Sequence, residues 1–150
     1  MTNKRVKFSS FLLTINPNQS YDPGDVKSIK KASKKLKKSI DGLFNEGNIG
    51  KLIKINNEKD KEKDKKEIIR DINIHKSLEY GKEKGKLHAH LFVVINHYSK
   101  IQLDNQKIRS ELKEDLGSIY YNNTLVRNKE DAQNILEYIS KYQCLPQKYK

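Results

Sequence analysis

Apolar positions recur along the chain in two rhythms. Residues 8–16 are rich in apolar side chains and Asn16-Pro17 closes the run, which predicts a first strand. The Tyr-Asp-Pro-Gly stretch at 21–24 predicts a turn, and Asp25 is placed to cap a helix. Beyond it Val26, Ile29, Ser33, Leu36, Ile40, Leu43 and Phe44 recur at three- and four-residue spacing, one apolar stripe on a helix that stops near Gly47. Residues 49–56 read as a second strand. Over 68–80, a third strand, the period becomes two: Ile72, Ile74, Leu78 and Tyr80 share one parity, and Asn73, His75, Ser77 and Glu79 the other. Residues 81–86 form a hairpin connection. A fourth strand, 87–95, places Leu87, Ala89, Leu91, Val93 and Ile95 on one side and His88, His90, Phe92 and Val94 on the other. A second helix spans 104–116, with Ile108, Leu112 and Leu116 inward and Gly117 as its stop. A fifth strand occupies 118–126. A last helix runs over 129–142, with Ala132, Ile135, Leu136 and Ile139 on its buried stripe.

The order is β-α-β-β-β-α-β-α. Three consecutive strands without intervening helices favour an α+β fold: a central antiparallel sheet of about five strands with helices packed against it. The 150 residues are enough for one domain, 1–150, and too few for two independent cores. Between the second and third strands, residues 58–67 alternate acids with lysines and carry no apolar anchor. We expect 57–67 to be a charged flexible loop or a solvated helical extension without function of its own.

Charge changes the picture more than size does. The chain has 31 lysines and arginines against 19 acids, a net charge of +12, and only Arg5, Arg70, Arg109 and Arg127 are arginine. A lysine-rich surface suits diffuse attraction to a phosphate backbone and suits bidentate base reading less well. Seven lysines, Lys27, Lys30, Lys31, Lys34, Lys35, Lys37 and Lys38, cover the polar faces of the first helix with no acid among them. A bound polyanion would relieve their mutual repulsion, which makes this a candidate DNA-binding face; the plainer reading is a solvated face screened by salt. Several classes fall away. No phosphate-loop motif exists for an ATPase motor. The one cysteine, Cys144, allows no internal disulfide and no multi-cysteine zinc site. No apolar run is long enough to span a bilayer and no secretory h-region follows the basic start. The expectation is therefore an intracellular protein, cytoplasmic or nuclear, without membrane partners.

The candidate chemistry lies on the third and fourth strands. His88 and His90, two apart, put both imidazoles on one face. If the 81–86 connection pairs Tyr80 with Leu87, Glu79 lies opposite His88 and Ser77 opposite His90. Cross-strand Cβ spacings of roughly 4.5–5.5 Å then let Glu79 complete a two-histidine, one-carboxylate metal site. His75 shares that face further along, as a reserve ligand or a group behind the ligands, whereas His97 lies beyond the strand and reads as ordinary surface. On the last helix Tyr138 falls at the boundary of the buried stripe, and Lys141, three residues on, projects toward the same small region. Tyr142 lies nearer the buried side.

The stretch LEYGKEKGKLHAHLFVV at 78–94, followed by YISK at 138–141, resembles the HUH endonucleases. Among them it looks most like the replication-initiator (Rep) nuclease domains of small circular DNA replicons and viruses. The residues that carry the likeness are His88-Ala89-His90, Glu79 ahead of them across a glycine-containing hairpin, and Tyr138 with Lys141. FLLTINPN at 11–18 is similar to the family's first motif, with Pro17 interrupting it; Ala89 is small where larger apolar residues are frequent. The resemblance implies a ferredoxin-like Rep nuclease architecture, with Glu79, His88 and His90 holding Mg²⁺ or Mn²⁺. Tyr138 would attack single-stranded or hairpin DNA, leaving a 5′-phosphotyrosine and a 3′-OH able to prime rolling-circle replication. Lys141 would stabilise the phenolate or neutralise a phosphate. No helicase domain is expected in 1–150, so a helicase and the replication machinery would be separate partners. A short single-tyrosine transposase and a DNA-binding protein on the same fold that no longer cuts are the alternatives. A basic RNA- or ribosome-associated domain is a third reading, one that predicts no metal dependence.

Overall fold

Alternate residues of the first strand, Phe11, Leu13 and Ile15, are buried, and Pro17, with no amide hydrogen to donate, ends it, so β1 spans Lys7–Pro17. The computed structural model describes residues 5–17, 21, 22, 24–81, 86–141 and 148, the side chains of Ser140 and Lys141 excepted. Asp25 caps α1 (Val26–Leu43) by accepting a hydrogen bond from the Lys27 amide, worth about 1 kcal/mol at an ordinary cap. The helix ends earlier than Gly47 because two asparagines take its last carbonyls. The Asn45 side-chain amide donates to Asp41 and Gly42 at 2.9 and 3.1 Å, and that of Asn48 donates to Leu43 at 2.9 Å. The apolar stripe begins at Ile29. Val26, on the first turn, is exposed.

The expected second strand is mostly a 3₁₀ turn, Ile49–Leu52, followed by a three-residue β2 (Ile53–Ile55). The charged run 57–67 holds two short helical turns. Asn57 caps a 3₁₀ turn at Glu58–Asp60, and Asp64 caps a short α2 (Lys65–Ile68) whose Ile68 is buried. The long strands β3 (Ile69–Gly81) and β4 (Lys86–His97) follow, then a short β5 (Ile101–Leu103) absent from the expected order. The chain closes with α3 (Asn105–Leu116), β6 (Ile119–Val126) and α4 (Lys129–Lys141). Asp104 caps α3, and Gly117 ends it at φ +77°, a conformation that favours glycine.

The expected central sheet of about five strands is a sheet of four, in the order β3-β4-β1-β6, with every neighbouring pair antiparallel. The second strand does not join it. It pairs with β5 instead, Ile53 opposite Leu103 and Ile55 opposite Ile101, as a separate two-stranded sheet. The fold is α+β with two antiparallel sheets.

Strand alternation divides the four-stranded sheet into two faces. Leu13, Ile15, Leu87, Leu91, Val93 and Ile95 pack with Leu36 and Ile40 of α1 and Ile108 and Leu112 of α3 in the main core. On the opposite face Phe92 and Val126 pack with Ala132 and Ile139 of α4 in a smaller core, flanked by Leu12, Val94, Ile135 and Leu136. The sheet is thus covered by α1 and α3 on one side and by α4 on the other. No described helix is long and apolar enough to cross a membrane.

Candidate metal centre

The β3–β4 pairing has the register expected from the hairpin. Tyr80 is opposite Leu87, Glu79 opposite His88, and Ser77 opposite His90. Alternation turns Glu79, His88 and His90 to the face that carries α4, at the end of the sheet near the hairpin. Glu79 Oε2 is 3.0 Å from His88 Nε2 and 3.5 Å from His90 Nε2. One ligand atom from each of the three residues falls within a 4.8 Å span. The carboxylate side chain is only 13% exposed, and its other oxygen, Oε1, is buried without a hydrogen-bond partner among the described residues. Such an orphaned acceptor is costly until a donor or a cation satisfies it, and a metal ion held by the trio would do so. Ser77 Oγ, across from His90, is buried and unpaired in the same way.

The far nitrogens are held too. His88 Nδ1 is 3.3 Å from the carbonyl oxygen of Lys86, and His90 Nδ1 is 3.2 Å from Thr14 Oγ1. Partners at the remote nitrogen fix ring orientation and aim Nε2 at a common point, as they do behind histidines that ligate metals. Burial pushes His90 below the ordinary histidine value; the Glu79 carboxylate opposes this and His88 adds to it. A neutral imidazole is the form that binds a metal. Two imidazole nitrogens and a carboxylate oxygen make a mixed donor set that fits a divalent ion. It suits Mn²⁺ and its transition-metal neighbours better than Mg²⁺, which prefers oxygen alone.

Tyr138 stands on α4 beside this cluster. Its ring centroid is 6.5 Å from that of His90, the planes are crossed at 78°, and the side chain is 47% exposed. Tyr138, His90, Leu12, Asn134, Ile135 and Ile139 line a cleft of about 200 Å³. The structure therefore brings Glu79, His88, His90 and Tyr138 together. The side chain of Lys141 and all of Tyr142 lie outside the described residues. His75 faces the same side but stands opposite Phe92, beyond Ser77, and is not among the three groups able to share an ion. The lysines at 27, 30, 31, 34, 35, 37 and 38 are all exposed and make no ion pair with described residues. They ride on α1, across the sheet from the cluster.

His97 corrects the surface reading. It ends β4, is 3% exposed, and its Nδ1 donates to the Ser99 carbonyl at 2.6 Å while Nε2 lies 2.7 Å from Ser9 Oγ. It is a buried pin between strands. Two supports of the cluster escape a reading of the sequence. Thr14 carries no signal of its own, although its strand holds the motif at 11–18, because the β1–β4 register follows from no short connection. Tyr21, whose hydroxyl accepts a 2.7 Å bond from the Leu87 amide and fixes the start of β4, sits in what reads only as a turn. Comparison of the chain with protein-family models, with curated proteins and with solved structures finds no match.

Proposed function

We propose that the chain is a divalent-metal-dependent endonuclease that cuts and rejoins single-stranded or hairpin DNA through Tyr138, in the manner of a replication initiator. One observation carries this reading: a tyrosine ring lies 6.5 Å from one histidine of a Glu-His-His cluster, on the same face of the sheet. The path of the chain adds support. The four strands of the main sheet are visited as β1-α1-β3-β4-α3-β6, the β-α-β-β-α-β succession of ferredoxin-like folds, with α4 appended over the cluster. The lysine excess supplies attraction to a phosphate backbone.

Glu79, His88 and His90 would hold Mn²⁺ or Mg²⁺. The ion would supply Lewis-acid polarisation and charge neutralisation at the scissile phosphate. Tyr138 Oη attacks phosphorus in line. The new bond is the tyrosyl phosphoester on the 5′ side, and the bond that breaks is P–O3′. The phenol's proton is lost to solvent, and the departing 3′ oxygen is protonated in turn. Because the phosphoester bond is exchanged and not hydrolysed, a 3′-OH can reverse the step without ATP. A phenol titrates near ~10 in water, so developing negative charge on Oη needs a cation close by. Lys141, one turn along α4, is the proposed source. The cleft beside Tyr138 takes sugar or base against Leu12 and Ile135, and Thr14 and the Lys86 carbonyl keep the two rings aimed.

The test is a denaturing gel of protein mixed with labelled single-stranded hairpin DNA and Mn²⁺. A covalent adduct that requires the metal and vanishes in Tyr138→Phe, with DNA binding intact, is the expected result. An adduct that persists in Tyr138→Phe would move the nucleophile elsewhere. Absence of any adduct on DNA shown to bind would leave a non-cutting DNA-binding protein.

A further inference from the structure

The run EKDKEKDKKE at 58–67 is neutral as sequence, yet the fold sorts its charges. Glu58 pairs with Lys61 at 2.6 Å, Asp60 with Lys63 at 2.8 Å, and Asp64 caps α2 by accepting the Lys66 amide. Lys61 and Lys65 are delivered to a cavity of about 500 Å³ against β2 and β5, and Lys51 and Lys54 line it from the other side. Asp104 is the single carboxylate among the described residues of its wall. It is already engaged, 3.5 Å from Lys54 Nζ and accepting the Lys107 amide at 3.1 Å. With Lys61 paired to Glu58 and Lys54 to Asp104, the four lysines have two carboxylates between them and leave an excess of positive charge at the cavity.

Lys65 is the most constrained of the four. It is half-buried, and its ammonium donates to the Gly50 carbonyl, which occupies one of three hydrogens. Burial lowers its pKa, the charge of Lys107 acts in the same direction, and Asp104 opposes them. An anion in the cavity would relieve that position. Asn56 and Gln102 add neutral amides to the wall, and half-buried Ile55 gives it an apolar side. The volume falls in the range of small-molecule sites. The cavity shares no lining residue with Glu79, His88, His90 or Tyr138.

We propose that this cavity is a phosphate-binding site, in which Lys51, Lys54, Lys61 and Lys65 take the phosphate of a free nucleotide or of a nucleic-acid strand. The proposal is independent of the cleavage chemistry, so it is tested without it. Calorimetric titration in EDTA at low salt would use pyrophosphate and, separately, an eight-nucleotide oligothymidylate. Lys61→Gln, the pair Lys61→Gln/Lys65→Gln and a control pair of exposed lysines away from the cavity, Lys113→Gln/Lys129→Gln, remove charge from one place or the other. The cavity pair is expected to weaken pyrophosphate binding on the order of 10-fold or more, the loss that goes with removing charge-assisted hydrogen bonds. The control pair should stay within about twofold, since screening blunts charge effects at a distance. Lys61 is exposed, so Lys61→Gln alone keeps the test valid if Lys65→Gln disturbs folding; its loss should exceed that of the control. Competition between pyrophosphate and the oligonucleotide would identify the ligand as a strand, and pyrophosphate binding without competition as a free phosphorylated molecule. Should the wild type bind neither probe, or the control pair weaken binding as much as the cavity pair, the site does not exist.

Discussion

Each histidine of the pair is gripped at the nitrogen remote from Glu79, and that detail sets what the cluster wants. The Lys86 carbonyl can only accept, so His88 Nδ1 carries a hydrogen, and Nε2 is left 3.0 Å from Glu79 Oε2. A divalent ion shared by Nε2 and Oε2 would take the place of a proton between them. Titration with Mn²⁺ should therefore find a site that prefers it to Mg²⁺. Glu79→Gln and His88→Ala should each lose at least about 100-fold in affinity, because removing even an outer partner of a ligand costs about 10–100-fold. Thr14→Val, which touches only His90 Nδ1, should fall in that lower range; an unchanged affinity would show that Thr14 does not orient the ring. With Mn²⁺ at 100 times its dissociation constant, binding should stabilise the fold by about 2.7 kcal/mol, a rise in Tm of roughly 5–10 °C for a chain of this size. His97 gives a separate residue-scale expectation. Burial holds it below the ordinary histidine value; the bond to Ser99 opposes this and Lys7 reinforces it. As pH falls through about 6.5, the unfolded chain takes a proton that the folded chain refuses until lower pH. The stability tied to neutral His97 is thus complete above that point and declines below it. The advantage of the wild type over His97→Gln in urea melts should shrink from pH 7.5 to pH 5; a constant gap would contradict a buried neutral ring. The trio itself was legible in the sequence because a short connection fixed the register and period-two alternation fixed the face. His97 was not, since its burial depends on the loop at Ser99 folding back over the strand end.

At the scale of elements, periodicity located what was long and failed on what was short. The strand at 68–80, the strand at 87–95 and all three long helices have enough repeats for a period to show. A three-residue strand such as Ile101–Leu103 has no period to read, and its partner Ile53–Ile55 is cut from the expected 49–56 by a 3₁₀ turn. The extra sheet follows from that pairing, and so does the smaller main sheet. Helix ends show the same division. Gly117 signalled the end of α3, whereas α1 ends on asparagine side chains whose bonds exist only after the chain has turned. Two glycines should respond in opposite ways. Gly117 holds φ +77° and ψ −134°, so Gly117→Ala should destabilise by about 1–3 kcal/mol although no atom lies within 4 Å of the added Cβ. Gly42 lies inside α1 with the same open space and ordinary helical geometry, so Gly42→Ala should stabilise by about 0.5–1 kcal/mol. Denaturant midpoints of the two variants check both signs at once, and a stabilised Gly117→Ala would refute the reading of that turn.

At the scale of the molecule, the sheet separates its two most chemical surfaces. Alternation turns the Glu-His-His cluster toward α4, and the lysine-covered α1 packs on the other side. A strand bound at the cluster and a strand on α1 therefore touch opposite sides of a sheet-and-helix stack, each layer about 10 Å thick. A net charge of +12 would attract any polyanion to the whole surface, so affinity alone would not tell the two apart. Salt dependence does, because each phosphate contact on a single strand contributes about −0.7 to the slope of log K against log salt. Replacing Lys30, Lys34 and Lys38 by Gln removes three charges from one line along α1. For an eight-nucleotide strand held at the cluster the slope should be unchanged. For a strand long enough to round the sheet edge, or a hairpin with a long stem, its magnitude should fall by up to about 2. An equal fall for both lengths would mean that even the short strand lies on α1, and the lysine face would then be the primary binding surface and not a support for DNA leaving the metal centre. No fall for either would reduce the seven lysines to a solvated face whose repulsion is borne by salt alone.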